Sequence, residues 1–131
     1  MGDRQLISSG SPFEPAVGFS RAVRVGPNVF VAGTAPVMPG GADPPQDAYG
    51  QATRCLAIIE QALREAGAEL RHVVRTTTYL ATVDAYEGLA RAHGEVFGGS
   101  RPASTIVVVA GLLDPRWLVE LSADAVIDDE A

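Results

Sequence analysis

The stretch from Arg101 to Ile127, RPASTIVVVAGLLDPRWLVELSADAVI, constrains this chain more than any other. It reads as two successive strands. Ser104 to Ala110 is an unbroken run of small and β-branched residues, the pattern of a strand buried on both faces. Trp117 to Ile127 alternates instead: Val119, Leu121, Ala123, Ala125 and Ile127 share one face, while Leu118, Glu120, Ser122, Asp124 and Val126 share the other. Glu120 and Asp124 therefore stand near mid-strand beside a very apolar neighbour. A carboxylate there either faces solvent, pairs with an arginine such as Arg75 or Arg116, or belongs to a site. Burial without a partner raises a carboxyl pKa, which suits a group that orients water or passes protons. The pattern alone leaves these readings open.

The rest of the chain supplies partners for those strands. Residues 3 to 9 read as a short first strand ending in the turn-rich Ser-Ser-Gly-Ser-Pro. Ala22, Val23 and Val25, then Gly26-Pro27-Asn28, then Val29 to Gly33 make a hairpin signal. Residues 34 to 47, with four prolines and two glycines, read as a long loop. Asp47 is positioned to cap a helix whose apolar face is Ala52, Cys55, Leu56, Ile59, Ala62 and Leu63, running to about Ala66 and Gly67. Its polar side, with Arg54, Glu60, Arg64 and Glu65, reads as solvated. Val73 to Leu80 is a β-branched strand. Asp84 can cap a second helix through Leu89, Ala92 and Phe97, stopped at Gly98-Gly99. The order is β-β-β-α-β-α-β-β. It predicts an α+β domain over residues 1 to 131, with two helices on one face of a mixed sheet.

Composition narrows the function. Ten Lys and Arg against sixteen Asp and Glu leave a net charge of −6, and there is no basic run. Nucleic-acid affinity comes largely from neutralising phosphates, so such a partner is not expected. No apolar run approaches the length of a membrane span or signal segment, and a single cysteine, Cys55, cannot form an internal disulfide. A soluble cytoplasmic protein is expected. The glycines form no phosphate loop, and His72, His93 and Cys55 lack ligand spacing, so neither cofactor nor metal is expected. Cys55 reads as a small buried hydrophobe and His93 as a packed side chain. No serine sits in a G-x-S-x-G turn.

From about residue 13 to residue 127 the chain resembles the RidA/YjgF family, also called the L-PSP endoribonuclease family. GFSRAVRVGPNVFVAGTAP, QATRCLAIIEQALREAGAELRHVVRTTTYLATVDAY and RPASTIVVVAGLLDPRWLVELSADAV carry the resemblance. It implies a chorismate-mutase-like subunit that assembles as a homotrimer around a central barrel, with small-molecule pockets between subunits. The apolar strand after Ser104 would then pack under the helices on one face and meet neighbouring chains on the other. Well-studied members hydrolyse reactive enamines and imines to a 2-oxo acid and ammonia. Their pocket uses an Arg in a P-A-R-S stretch for the substrate carboxylate, a Glu on the last strand to position water, and a Tyr in a G-P-Y-S-like stretch. Here Glu120 falls on the Glu, Phe19 on the Tyr without its hydroxyl, and Gly33 on a pocket glycine flanked by Ala32 and Thr34. Ser104 falls where the Arg should be.

Losing that Arg removes a charge-assisted anchor worth on the order of 2–4 kcal/mol when desolvated. Two expectations follow. Ser104, Thr105 and backbone groups bind an uncharged or differently shaped ligand, or Arg101 reaches back into the cleft. The resemblance implies a hydrolytic deaminase on a non-standard imine or enamine. The alternatives are a ligand-binding or regulatory trimer without catalysis and, least in keeping with the acidic composition, a ribonuclease.

Overall fold

A computed structural model describes residues 3–128. Six strands form one sheet in the order β1-β2-β3-β6-β4-β5. They are β1 (Arg4–Ile7), β2 (Ala22–Val25), β3 (Asn28–Thr34), β4 (Val73–Leu80), β5 (Ala103–Val108) and β6 (Val119–Val126). All pairs are antiparallel except β4 and β5, which run parallel. A parallel pair needs a long crossover, and helix α3 (Tyr86–Phe97) supplies it. Helix α2 (Ala48–Glu65) lies across β3 and β6 with α3 beside it, so the expected α+β arrangement is the one found. Among the described residues, no helix is long and apolar enough to cross a membrane.

Alternation along β6 sorts the sheet into two faces, as its sequence requires. Val119, Leu121, Ala123 and Ala125 are buried, whereas Glu120, Ser122, Asp124 and Val126 point the other way and are half-buried. Asp47 caps α2 as expected, its side chain accepting from the amide of Gly50 at 3.1 Å. The apolar stripe of α2 fills the core, and Cys55 is fully buried in it. Burial drives the Cys55 thiol well above the ordinary thiol range, which leaves it inert.

Three local readings need correction. Asp84 does not cap α3: the Thr82 hydroxyl accepts from the Asp84 amide at 3.3 Å, and a short 3₁₀ turn, Val83–Ala85, leads into the helix. A five-residue helix, α1 (Phe13–Val17), follows the turn-rich segment where no helix was read, being too short to show a period. The apolar strand after Ser104 is not buried on both faces in a single chain. As β5 it is an edge strand, exposed throughout, with Val108 at 54 % and Val107 at 40 % exposure. Its apolar character is real, but the one strand it pairs with cannot cover it.

Candidate functional site

Glu120 is the second residue of β6, opposite Tyr79 of β4 and near the start of the strand instead of its middle. On its other side β3 and β6 lose register between Val31 and Thr34, and Gly33 occupies that irregularity. The two come so close that a β-carbon built on Gly33 would lie 2.5 Å from Glu120 Oε2. Only glycine leaves that room. Neither of the arginines considered as a partner is available: Arg75 Nε and Nη2 each contact Asp124 Oδ2 at 3.0 Å, and Arg116 pairs with Asp114 and Asp43. Among the described residues nothing hydrogen-bonds or ion-pairs with the Glu120 carboxylate. Burial pushes its carboxyl up from the ordinary value, with Arg21 pulling weakly the other way.

A cleft of about 800 Å³ opens beside this carboxylate. Phe13, Val17 and Phe19 form one wall, Gly33 and the segment after β3 a second, and Arg54, Ile58 and Trp117 the rest. Phe13 and Trp117 meet edge to face, ring centres 5.9 Å apart. A smaller cavity of about 380 Å³ reaches Gly33 and Glu120 from the side of Tyr79 and Ser122, so the carboxylate stands between two open spaces.

Arg21 fixes this geometry, and sequence reasoning did not single it out. Its buried guanidinium donates to the Gly33 carbonyl at 2.7 Å and to Thr34 Oγ1 at 3.1 Å, and it lies 5.2 Å from the centre of the Phe19 ring. Glu14 of α1 completes the pair, Nε to Oε2 at 3.4 Å, with both side chains about 95 % buried. Burial alone would raise the Glu14 carboxyl. The hydroxyls of Ser9 and Ser8, the Ser9 amide and the Arg21 charge outweigh it and hold the group below its ordinary value. An arginine one residue before a strand carries no period, so nothing in the sequence marks it. Arg54 differs from expectation too: it is half-buried and lines the cleft rather than lying on a solvated face.

The residues read as site residues divide into two groups. Phe19, Gly33 and Glu120 meet in the cleft. Ser104, Thr105 and Arg101 do not line it in this chain. Ser104 lies on β5, two strands from β6 and about 10 Å away across the ladder. Its register partner Thr76 faces Ala123 rather than Glu120, so its hydroxyl lies on the opposite face, bonded to Thr76 Oγ1 at 3.0 Å. Thr76 in turn contacts His93 Nε2 at 2.8 Å, which fits the packed role read for that histidine. Thr105 shares the face of Glu120, but on the same distant strand. Arg101 precedes β5 in a left-handed conformation, φ 56°, and is exposed.

Comparison with known proteins agrees with this architecture. The family model for endoribonuclease L-PSP matches residues 10–127. A solved structure from Mycobacterium tuberculosis, described as a YjgF-family member, superposes with a TM-score of 0.86 at 43 % identity, covering 95 % of this chain and 99 % of that one. An uncharacterized protein of Streptomyces coelicolor is 37 % identical over 91 % of this chain and 89 % of its own length. A mouse protein named 2-iminobutanoate/2-iminopropanoate deaminase is 32 % identical over 94 % of this chain and 91 % of its own. With the family match running from the segment before α1 to the end of β6, the chain belongs to the RidA/YjgF family, whose family model carries the name endoribonuclease L-PSP.

Proposed function

We propose that the cleft hydrolyses the C=N bond of a reactive imine, or of the imine an enamine becomes when its N–H proton moves to the β-carbon, with Glu120 handling the proton of the attacking water. One observation carries the reading: Glu120 is a half-buried, unpartnered carboxylate with a raised pKa at the mouth of an apolar cleft. A pKa moved towards neutrality suits a group that must both take and return a proton. Glu120 removes a proton from water as the oxygen bonds to the imine carbon, and the C=N π electrons pass to nitrogen, which receives that proton. The carbinolamine then breaks its C–N bond. The hydroxyl proton goes to nitrogen, ammonia leaves, and a carbonyl remains. The mouse relative's name supports the same class of reaction.

The complete site, in this reading, is shared between copies of the chain in a homotrimer. The exposed apolar β5 suits burial against a second copy, and a neighbour would bring Ser104, Thr105 and Arg101 to a cleft that one chain leaves without them.

The test is hydrolysis of imines generated in situ by an amino-acid oxidase and trapped with semicarbazide, with wild type beside Glu120→Ala. Acceleration by wild type that is lost in the variant supports the proposal; an inert wild type across the panel ends it. Binding without turnover is the second reading. It is favoured by Ser104, whose hydroxyl is already engaged by Thr76 and supplies no cation for a ligand carboxylate.

A further inference from the structure

We propose that Arg54 is the anion anchor of this cleft, and that the cleft selects a ligand whose carboxylate is joined to a bulky apolar body. The proposal rests on the deaminase reading of the same cleft and specifies its substrate.

Two arginines line the cleft. The guanidinium of Arg21 is consumed by Glu14, the Gly33 carbonyl and Thr34. Arg54 is held differently. Its Nε donates to the Val37 carbonyl at 2.8 Å, which ties the guanidinium to the segment after β3. Among the described residues its two terminal nitrogens have no acceptor, and it forms no ion pair with Glu120. One bond therefore orients a half-buried cation while its paired terminal N–H groups stay open. A planar fork matches the two oxygens of a carboxylate, and partial desolvation strengthens the contact. The Glu120 charge does not compete for the fork, so a ligand carboxylate at Arg54 leaves Glu120 free for water.

The walls define the rest of the ligand. The Phe13–Trp117 pair, Ile58, Met38 and the Phe19 ring face a space of about 800 Å³. Cavities of that size enclose ligands well beyond a three-carbon acid, and apolar walls reward a body that displaces their water. An imino acid with an aromatic or branched aliphatic side chain meets both requirements.

Trp117 is the only tryptophan and lines the cleft, so its fluorescence reports binding without turnover. The probes are the 2-oxo acid of leucine, pyruvate, and methyl isobutyl ketone, which keeps the apolar body without the carboxylate. Wild type, Arg54→Gln and Arg54→Lys are titrated with each. Wild type is expected to bind the leucine oxo acid about tenfold more tightly than pyruvate or the ketone. Arg54→Gln should lose about tenfold for the oxo acid and nothing for the ketone, and Arg54→Lys should recover part of the loss. Equal binding of the oxo acid by wild type and Arg54→Gln, no preference over pyruvate, or no binding at all would overturn the proposal. Equal losses for acid and ketone would also overturn it, since they report damage to the fold. Imine turnover is read separately: oxo-acid binding that depends on Arg54 without any turnover refutes the deaminase and keeps the anchor. Turnover indifferent to Arg54→Gln does the reverse.

Discussion

The carboxylate of Glu120 occupies the space that a side chain on Gly33 would need, across the irregularity between β3 and β6: a methyl group on Gly33 would meet Oε2 at 2.5 Å. The obstacle is the far end of a flexible side chain, so the fold can yield where the site cannot. Gly33→Ala should therefore move the carboxylate while leaving the melting temperature within a few degrees of wild type. A shift of about 1 Å at a catalytic group can cost about a hundredfold in rate. Imine hydrolysis and thermal melting of the same preparation check this; an unchanged rate would show that the position of Glu120 does not matter.

Glu120 also sets a pH dependence of stability. Burial raises its folded pKa above the unfolded value. The fold keeps this proton over an interval in which the unfolded chain has released it. The penalty is thus absent below the ordinary carboxylate value of about 4.3, grows as pH rises, and is complete above the raised value. Glu120→Gln should melt higher than wild type at about pH 8, with the difference shrinking towards about pH 4. Melting curves at both pH values decide it, and a difference independent of pH would contradict the burial argument.

The Glu14–Arg21 pair has the opposite sign. The folded Glu14 carboxyl lies below its ordinary value, so its contribution is present above that value and fades as acid carries the pH down through the folded one. Breaking a buried pair strands the remaining charge. Glu14→Gln should cost roughly 3 kcal/mol in denaturant unfolding at neutral pH. Because Arg21 also holds the Gly33 carbonyl, the same variant should lower turnover. Full stability with full activity would refute the assignment.

Exposed apolar residues on β5 make assembly testable. Val107→Glu places a charge on the exposed edge strand, where a lone chain tolerates it and a buried interface does not. Sedimentation should show wild type at trimer mass and the variant at monomer mass, with turnover lost in the variant. A variant of wild-type mass would remove β5 from the interface.

How far the sequence could be read follows from where each signal is encoded. Alternation in β6 and the three- and four-residue spacing in α2 are local, so the faces carrying Val119, Leu121, Ala123 and Ala125, and Ala52, Cys55, Leu56, Ile59, Ala62 and Leu63, are legible, and both lie in the core. β5 reads correctly as a strand, but the burial expected on both its faces is absent in a single chain, because Ile106 to Val108 look the same whether helices or another molecule cover them. Phe19, Gly33 and Glu120 were legible through resemblance and alternation together. Arg21 and Arg54 were not: one precedes a strand without any period, and the other shares a helix side with Arg64, which pairs with Glu60 on the surface. Their roles depend on where the segment after β3 passes, and that path is set by tertiary packing.

The sheet order has a consequence for how the molecule comes into being. β6 lies between β3 and β4, yet it is the last of the six strands to be synthesised. Until Val119 to Val126 emerge, the hairpin of β2 and β3 and the parallel pair β4 and β5 have no strand to join them. The growing chain therefore carries two unjoined half-sheets, their apolar faces waiting on one late segment. Such a chain completes its sheet by a long-range closing step, β6 joining β3 across most of the sequence.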